Sequence, residues 1–259
     1  MRILKYSFYD LIRGKWTIVY CLFYLMLTTA LFTLNTDLSK VVITLMNVVL
    51  ALVPLIAIMF GVIFYYNSRE FVELLLAQPI TRKEIFLGQL LGLGMSLSTS
   101  LLVGIGLPFL VFGIFTSPEL YNFLILLLVG IILSIIFSGL GFLIAMKFEN
   151  RIKGFGIAIF CWLFLAIIYD GIFLLLLALF SDYPLEGMAI TLSTLNPIDL
   201  SRTLILLKLD IAALMGYTGA VFHKFIGTIN GLILVSSVLL VWILLPYWFV
   251  VRTARKKDF

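Results

Sequence analysis

The chain has 259 residues, 63% of them hydrophobic and 12% charged, with mean hydropathy +1.20 and a formal net charge of +5. A soluble domain cannot hide that much apolar side chain, so lipid must solvate it and a soluble globular enzyme is excluded. The basic residues are sorted between alternate polar breaks rather than gathered in one patch, which excludes a nucleic-acid footprint.

A helix needs about 20 apolar residues to cross a bilayer. Six stretches have that length: Trp16–Leu34, Val41–Tyr66, Ile85–Phe115, Leu120–Met146, Gly154–Phe180 and Gly227–Val251. They predict an all-α, polytopic membrane protein with a single transmembrane domain over residues 1–259. Of the 18 Lys and Arg residues, 14 lie in the breaks at residues 1–15, 67–84, 147–153 and 252–257; only Lys40, Arg202, Lys208 and Lys224 lie in the others. By the positive-inside rule both termini are expected on the cytoplasmic side of the membrane. Span one is too long for a signal-peptide core, and no small-residue cleavage site follows it.

Residues 1–15 read as an interfacial helix. Leu4, Phe8, Leu11 and Ile12 make an apolar stripe, Ser7, Asp10 and Gly14 fall on the other face, and Arg2, Lys5 and Arg13 flank it. The alternative is a plain basic flank that sets topology. The break at residues 68–84 reads as an ordered helix–turn–helix. Phe71, Leu74 and Leu75 share one side of a short helix, with Glu70 and Glu73 displaced from it, and Pro79 ends it. Thr81 and Glu84 then have capping-box spacing before the apolar run from Ile85.

Span three carries Gly88, Gly92, Ser96, Ser100, Gly104 and Pro108 at four-residue intervals, and span four repeats the spacing with Gly130, Ser134 and Ser138. Such stripes let helices approach closely. They would line a pathway only if those helices separate. Pro108 is expected to bend the outer part of span three. Cys21 and Cys161 both fall inside spans, without CxxC spacing, and read as packing residues.

Asp170 is the one acid at clear membrane depth. It shares a four-residue series with Gly154, Ala158, Trp162 and Ala166, which points it into the bundle. With no basic residue in the core of another span, its expected partners are hydroxyls, Asn47, water or a proton, in a structural or a proton-handling role. The longest break, residues 181–226, is expected outside the cytoplasm. Asn196 and Pro197 read as N-cap and first turn of a helix, with Asp199 near its positive end. Leu200, Leu204, Leu207 and Ile211 form its stripe, with Arg202 and Lys208 elsewhere. This reads as an outer-surface helix, a docking platform for a soluble partner.

Phosphate-loop, HExxH and GxSxG motifs are all missing, so no nucleotide or hydrolytic site is expected in this chain. Met188, Met215 and His223 are soft or borderline copper ligands, but three residues scattered over 36 positions make only a weak metal signal. No internal repeat supports a secondary transporter.

The run from Glu73 to Glu84, ELLLAQPITRKE, followed by Gly88 and Gly92, resembles the coupling-helix region of type-2 ABC exporter permeases. The likeness extends over six spans and an N-terminal interfacial helix. The outer segment, LNPIDLSR at 195–202 and ALMGYTGAVF at 213–222, is similar to that of the permease (Y) subunits of nitrous oxide reductase maturation complexes. The resemblance implies a homodimer bound to a separate cytoplasmic ATPase that carries the ATP and Mg, and a periplasmic β-helical partner. It also implies a role in copper-site assembly of the reductase, by transport or mechanical coupling. Glu70, Glu73, Leu74, Leu75, Pro79, Arg82 and Glu84 are then expected to receive the ATPase's motion. Asn196, Pro197, Asp199, Arg202, Met215 and Gly216 would meet the periplasmic partner, so that Arg202→Glu weakens partner binding and leaves insertion intact. Two other readings fit the architecture: a general exporter of lipid, drug or peptide, and a non-transporting membrane anchor of a respiratory complex.

Overall fold

The computed structural model describes residues 2–35, 37–180, 186–208 and 229–256. These residues are mostly helical, with no strand among them. The helices are α1 (Arg2–Arg13), α2 (Lys15–Leu34), α3 (Leu38–Asn67), α4 (Arg69–Leu76), α5 (Arg82–Val111), α6 (Leu120–Lys147), α7 (Arg151–Leu163), α8 (Tyr169–Leu179), α9 (Glu186–Thr194), α10 (Pro197–Lys208) and α11 (Ile229–Lys256). A π-helical turn, Phe164–Ile168, joins α7 to α8. Six helical stretches are long and apolar enough to cross a membrane: α2, α3, α5, α6, α7 through α8, and Gly231–Arg255 within α11. All six expected spans are therefore present. Span three stops at Val111 rather than Phe115, because Gly113 turns the chain with a left-handed φ of 81° that a residue with a β-carbon rarely adopts. Met215, Gly216 and His223 lie outside the described residues, and with them the expectations placed there.

Two compact units are present, one within Met1–Ile159 and Ile243–Phe259, the other within Phe160–Trp242. The first is built around a parallel pair, α3 and α6. Ser39 Oγ donates to Glu119 Oε1 at 2.6 Å, Val49 packs near Gly130, Ile58 and Gly61 meet Ser138 and Gly141, and Tyr66 Oη donates to the Phe148 carbonyl at 2.6 Å. The sequence offset stays near 80 along the whole contact, so the two helices run side by side in one register. At the crossing there is no room for side chains: a β-carbon on Gly61 would strike the Ser138 carbonyl, and one on Gly141 the Ile58 carbonyl. In lipid such a contact is held by close van der Waals packing rather than by apolar burial.

The serine stripe of α6 packs for the same reason. Ser134 and Ser138 are fully buried, and their hydroxyls donate to Gly130 and Ile135 of their own helix at 2.8 and 3.2 Å. They need nothing across the seam. Gly141→Val is expected to lower the thermal stability of the purified protein by about 1–3 kcal/mol through backbone overpacking. Gly106→Ala, where an added β-carbon has nothing within 4 Å, should leave the melting curve unchanged. Detergent-solubilised melting of both variants checks the pair.

Helix α5 runs along α1 and then α2. Gly88 lies against Ile3 and Leu4, Gly92 against Ser7 and Phe8, Gly104 against Cys21 and Tyr24, and Phe109 against Phe32. The Gly88–Gly104 stripe is thus a groove for the N-terminal helix and the first span. Ser7 was expected on the polar face of α1 but is 3% exposed, because its small side chain fits where Gly92 leaves space. Lys5, Tyr6, Tyr9, Asp10 and Arg13 form the exposed side.

Candidate functional site

The first candidate is the break between α3 and α5. Asn67 ends α3, and Ser68 turns the chain while its amide still bonds the Phe64 carbonyl at 2.9 Å. Helix α4 follows at once and stops three residues before Pro79. The Ile80 amide bonds the Gln78 carbonyl at 2.7 Å, and Thr81 then caps α5 by accepting from the Glu84 amide at 3.4 Å. The segment is therefore an ordered helix and turn fixed at both ends to long spans, as its spacing predicts.

Its burial differs from the expectation. Val72 and Leu75 are the buried residues of α4, at 2% and 9% exposure, whereas Leu74 is 69% exposed. Phe71 stays on the covered side, half-buried, and stacks on Tyr6 of α1, ring centroids 5.0 Å apart. The physical cause is the amphipathic choice open to a helix with five apolar residues in eight. The supporting helices decide which pair is covered, and they cover Val72 and Leu75. Glu70, Glu73, Leu74, Pro79, Arg82 and Glu84 all lie exposed on this one segment, and Arg69 Nε bonds Glu73 Oε1 at 3.3 Å. A protruding leucine ringed by charge is a surface that another protein can grip.

The second candidate lies in the second unit. Asn196 caps α10 by accepting from the Ile198 amide at 3.0 Å, and its Nδ2 donates to the Leu165 carbonyl of the π turn at 2.7 Å. That anchor orients α10 against α8. Arg202 Nη1 then reaches Asp170 Oδ2 at 2.7 Å and Asp199 Oδ1 at 3.4 Å. Asp170 is therefore ion-paired, contrary to the expectation of a hydroxyl, Asn47 or water partner. The charge arrives from the loop helix, not from another span. Asn47 instead donates to the Ile43 carbonyl of its own helix. The π turn also breaks the four-residue series on which Asp170 was placed, because it inserts one residue per turn and so rotates all that follows.

Four residues expected to meet a soluble partner, Asn196, Pro197, Asp199 and Arg202, instead serve the packing of this unit. Asn196, Pro197, Asp199 and Leu200 are buried, and Arg202 keeps about a third of its side chain exposed in an ion pair. These side chains hold α10 in its own unit, so Arg202→Glu acts inside the fold. Burial above all, and then the neighbouring Asp170 carboxylate, push the Asp199 carboxyl up to about 8, with Arg202 and Asn196 pulling the other way. The cue that would have found this cluster is the Asn196 cap, which sets Asp199 and Arg202 one turn apart on one face. Elsewhere in this unit Tyr169 Oη donates to the Leu192 carbonyl at 2.6 Å, and Trp242 Nε1 to that of Thr194 at 3.1 Å. Among the described residues no His, Cys, Asp and Glu cluster could hold a metal ion.

The ABC-2 family transporter protein family matches residues 1–255. This chain belongs to the ABC-2 transporter family. The permease is also similar to two curated proteins, each named "Probable ABC transporter permease protein NosY". The one from Pseudomonas aeruginosa is 25% identical over 224 residues, covering 80% of this chain and 81% of the relative. The one from Stutzerimonas stutzeri is 23% identical over 209 residues, covering 74% and 76%. The chain is thus a multi-pass inner-membrane permease subunit of ABC-2 type.

Proposed function

We propose that this permease is the membrane subunit of an ATP-driven complex that serves copper-site assembly of a periplasmic nitrous oxide reductase. Both termini face the cytoplasm. Two copies of the chain carry two copies of a separate ATPase, and a periplasmic β-helical partner sits over residues 181–226. The observation that carries this reading is the exposed Leu74, with Glu70 and Glu73, on a helix held between two spans. A push on α4 moves α3 and α5 together. Helix α3 takes α6 with it through the Gly61–Gly141 crossing, and α5 takes α1 and α2 through its glycine groove. The likeness of the 195–222 segment to maturation permeases, and relatives named NosY, support the copper-site role over generic export.

The test is purification of the tagged permease from its native membrane in mild detergent, with mass spectrometry of what accompanies it. An ATPase together with a periplasmic repeat protein is the expected result, followed by copper-deficient reductase in a deletion strain. An ATPase alone would move the reading to a general exporter. Redox subunits without an ATPase would overturn the coupling role.

A further inference from the structure

Gln89 of α5 is fully buried, and neither its Oε1 nor its Nε2 has a hydrogen-bond partner. Buried amides are seldom left so, and the residue lines a cavity of about 340 Å³ where a partner can sit. The cavity lies wholly within the first unit, between α1, α2, α3, α4 and α5. Phe60 and Phe64 of α3 and Phe71 of α4 form its aromatic walls. Asp10 and Asn67, both exposed, line its open end, while Gln89 closes the inner end. Asp10 makes no ion pair among the described residues, and the lining contains no Lys, Arg or His. The space is at the small end of ligand pockets and far exceeds the ~30 Å³ share of one water.

A carboxylate at the mouth, ring faces on the walls and an unpaired amide at the end select a cation with its own oxygen. Ring faces attract ammonium groups, the carboxylate adds charge, and no base repels the ligand. A side-chain amide offers one acceptor and one donor side by side. A fragment with an ammonium nitrogen two carbons from an oxygen matches it, the N–H donating to Oε1 and the oxygen accepting from Nε2. We propose that this cavity binds a 2-aminoethoxy group, as an aminoethyl phospholipid headgroup or a free amino alcohol, next to the helix on which the ATPase is proposed to act. An occupant touches α1, α3, α4 and α5 at once, so it would tie the coupling helix to the N-terminal helix. The site stands apart from the copper-site reading and is tested without an ATPase or periplasmic partner.

The experiment is native mass spectrometry of the full-length permease, released from nanodiscs of equal phosphatidylethanolamine and phosphatidylglycerol. The expected result is at least tenfold preferential retention of phosphatidylethanolamine. Asp10→Asn and Gln89→Leu should each reduce it to near parity. Asp10 is exposed, so its variant tests the site even if Gln89→Leu does not fold. Millimolar ethanolamine added to the loaded protein distinguishes the sources: displacement of the lipid shows that the free amino alcohol suffices to occupy the site, and persistence assigns it to the anchored headgroup. No retained lipid, equal retention of both lipids by the native chain, or a preference unchanged in both variants would each overturn the proposal. The cavity would then hold only water.

Discussion

Arg202→Glu is expected to destabilise the packing of α10 against α8 by about 3 kcal/mol or more, a loss large enough to deplete the protein from the membrane. One guanidinium nitrogen serves both Asp170 and Asp199, at 2.7 and 3.4 Å. The substitution removes both bonds and leaves three carboxyl groups around one point, with Asp199 Oδ2 already buried and without a partner. Arg202→Lys should recover part of the loss, since an ammonium can meet one carboxylate but lacks the planar fork.

Asp199→Asn should behave in the opposite sense. With its carboxyl pushed up to about 8 by burial and by Asp170, Asp199 is mostly protonated at neutral pH, and an amide replaces a neutral acid. The sign follows from linkage. The folded value lies above the unfolded one of 3.8, so the protein binds the extra proton when folded. That contribution is complete below pH 4, is lost as pH rises towards 8, and changes no further above it. The native chain should therefore melt progressively lower from pH 4 to pH 8 by an amount that Asp199→Asn removes. Thermal unfolding of both proteins over that range, subtracted one from the other, isolates the group. Parallel profiles, or a native-like melting point for Arg202→Glu, would refute the cluster.

How far the chain can be read without coordinates follows from whether each signal is local. The six spans and the cap at Thr81 were legible because hydropathy over 20 residues and a hydroxyl three residues before a glutamate act within one element. The Asn196 cap was legible for the same reason. The partner of Asp170 was not, because a five-residue π turn leaves no mark in composition and Arg202 lies 32 positions away. The Gly61–Gly141 crossing was equally hidden: Gly61 belongs to no stripe, and its meaning arises only when α6 lies against it. The side of α4 that faces outward was ambiguous for another reason. A short, mostly apolar helix has more than one possible buried face, and the neighbours choose.

That choice sets the second large effect. Leu74→Asp is expected to leave folding intact and to reduce the accompanying ATPase at least tenfold, whereas Leu75→Asp should prevent stable folding. The two leucines are adjacent and chemically identical. One is 69% exposed and the other 9%. Burying a leucine against a partner contributes roughly 1.5–3 kcal/mol, and a tenfold change in affinity needs about 1.4. Loss of Leu74 alone is therefore sufficient, provided it is the residue that the partner covers, since a few central apolar anchors carry most of an interface. Glu73→Lys adds an independent arm. It replaces an attraction to Arg69 with repulsion and reverses the charge beside Leu74, so it should slow association and sharpen its dependence on salt. Membrane yield, melting temperature and co-purified ATPase, measured on all three variants, separate the outcomes. If Leu74→Asp retains a full complement of ATPase, the exposed face of α4 is not where force enters. If Leu74→Asp and Leu75→Asp fail alike, then Leu74 is buried in the working protein by the permease itself. Loss of ATPase from a stable Leu74→Asp protein would mark this one side chain as the point where the chemistry of a second chain becomes movement in this one.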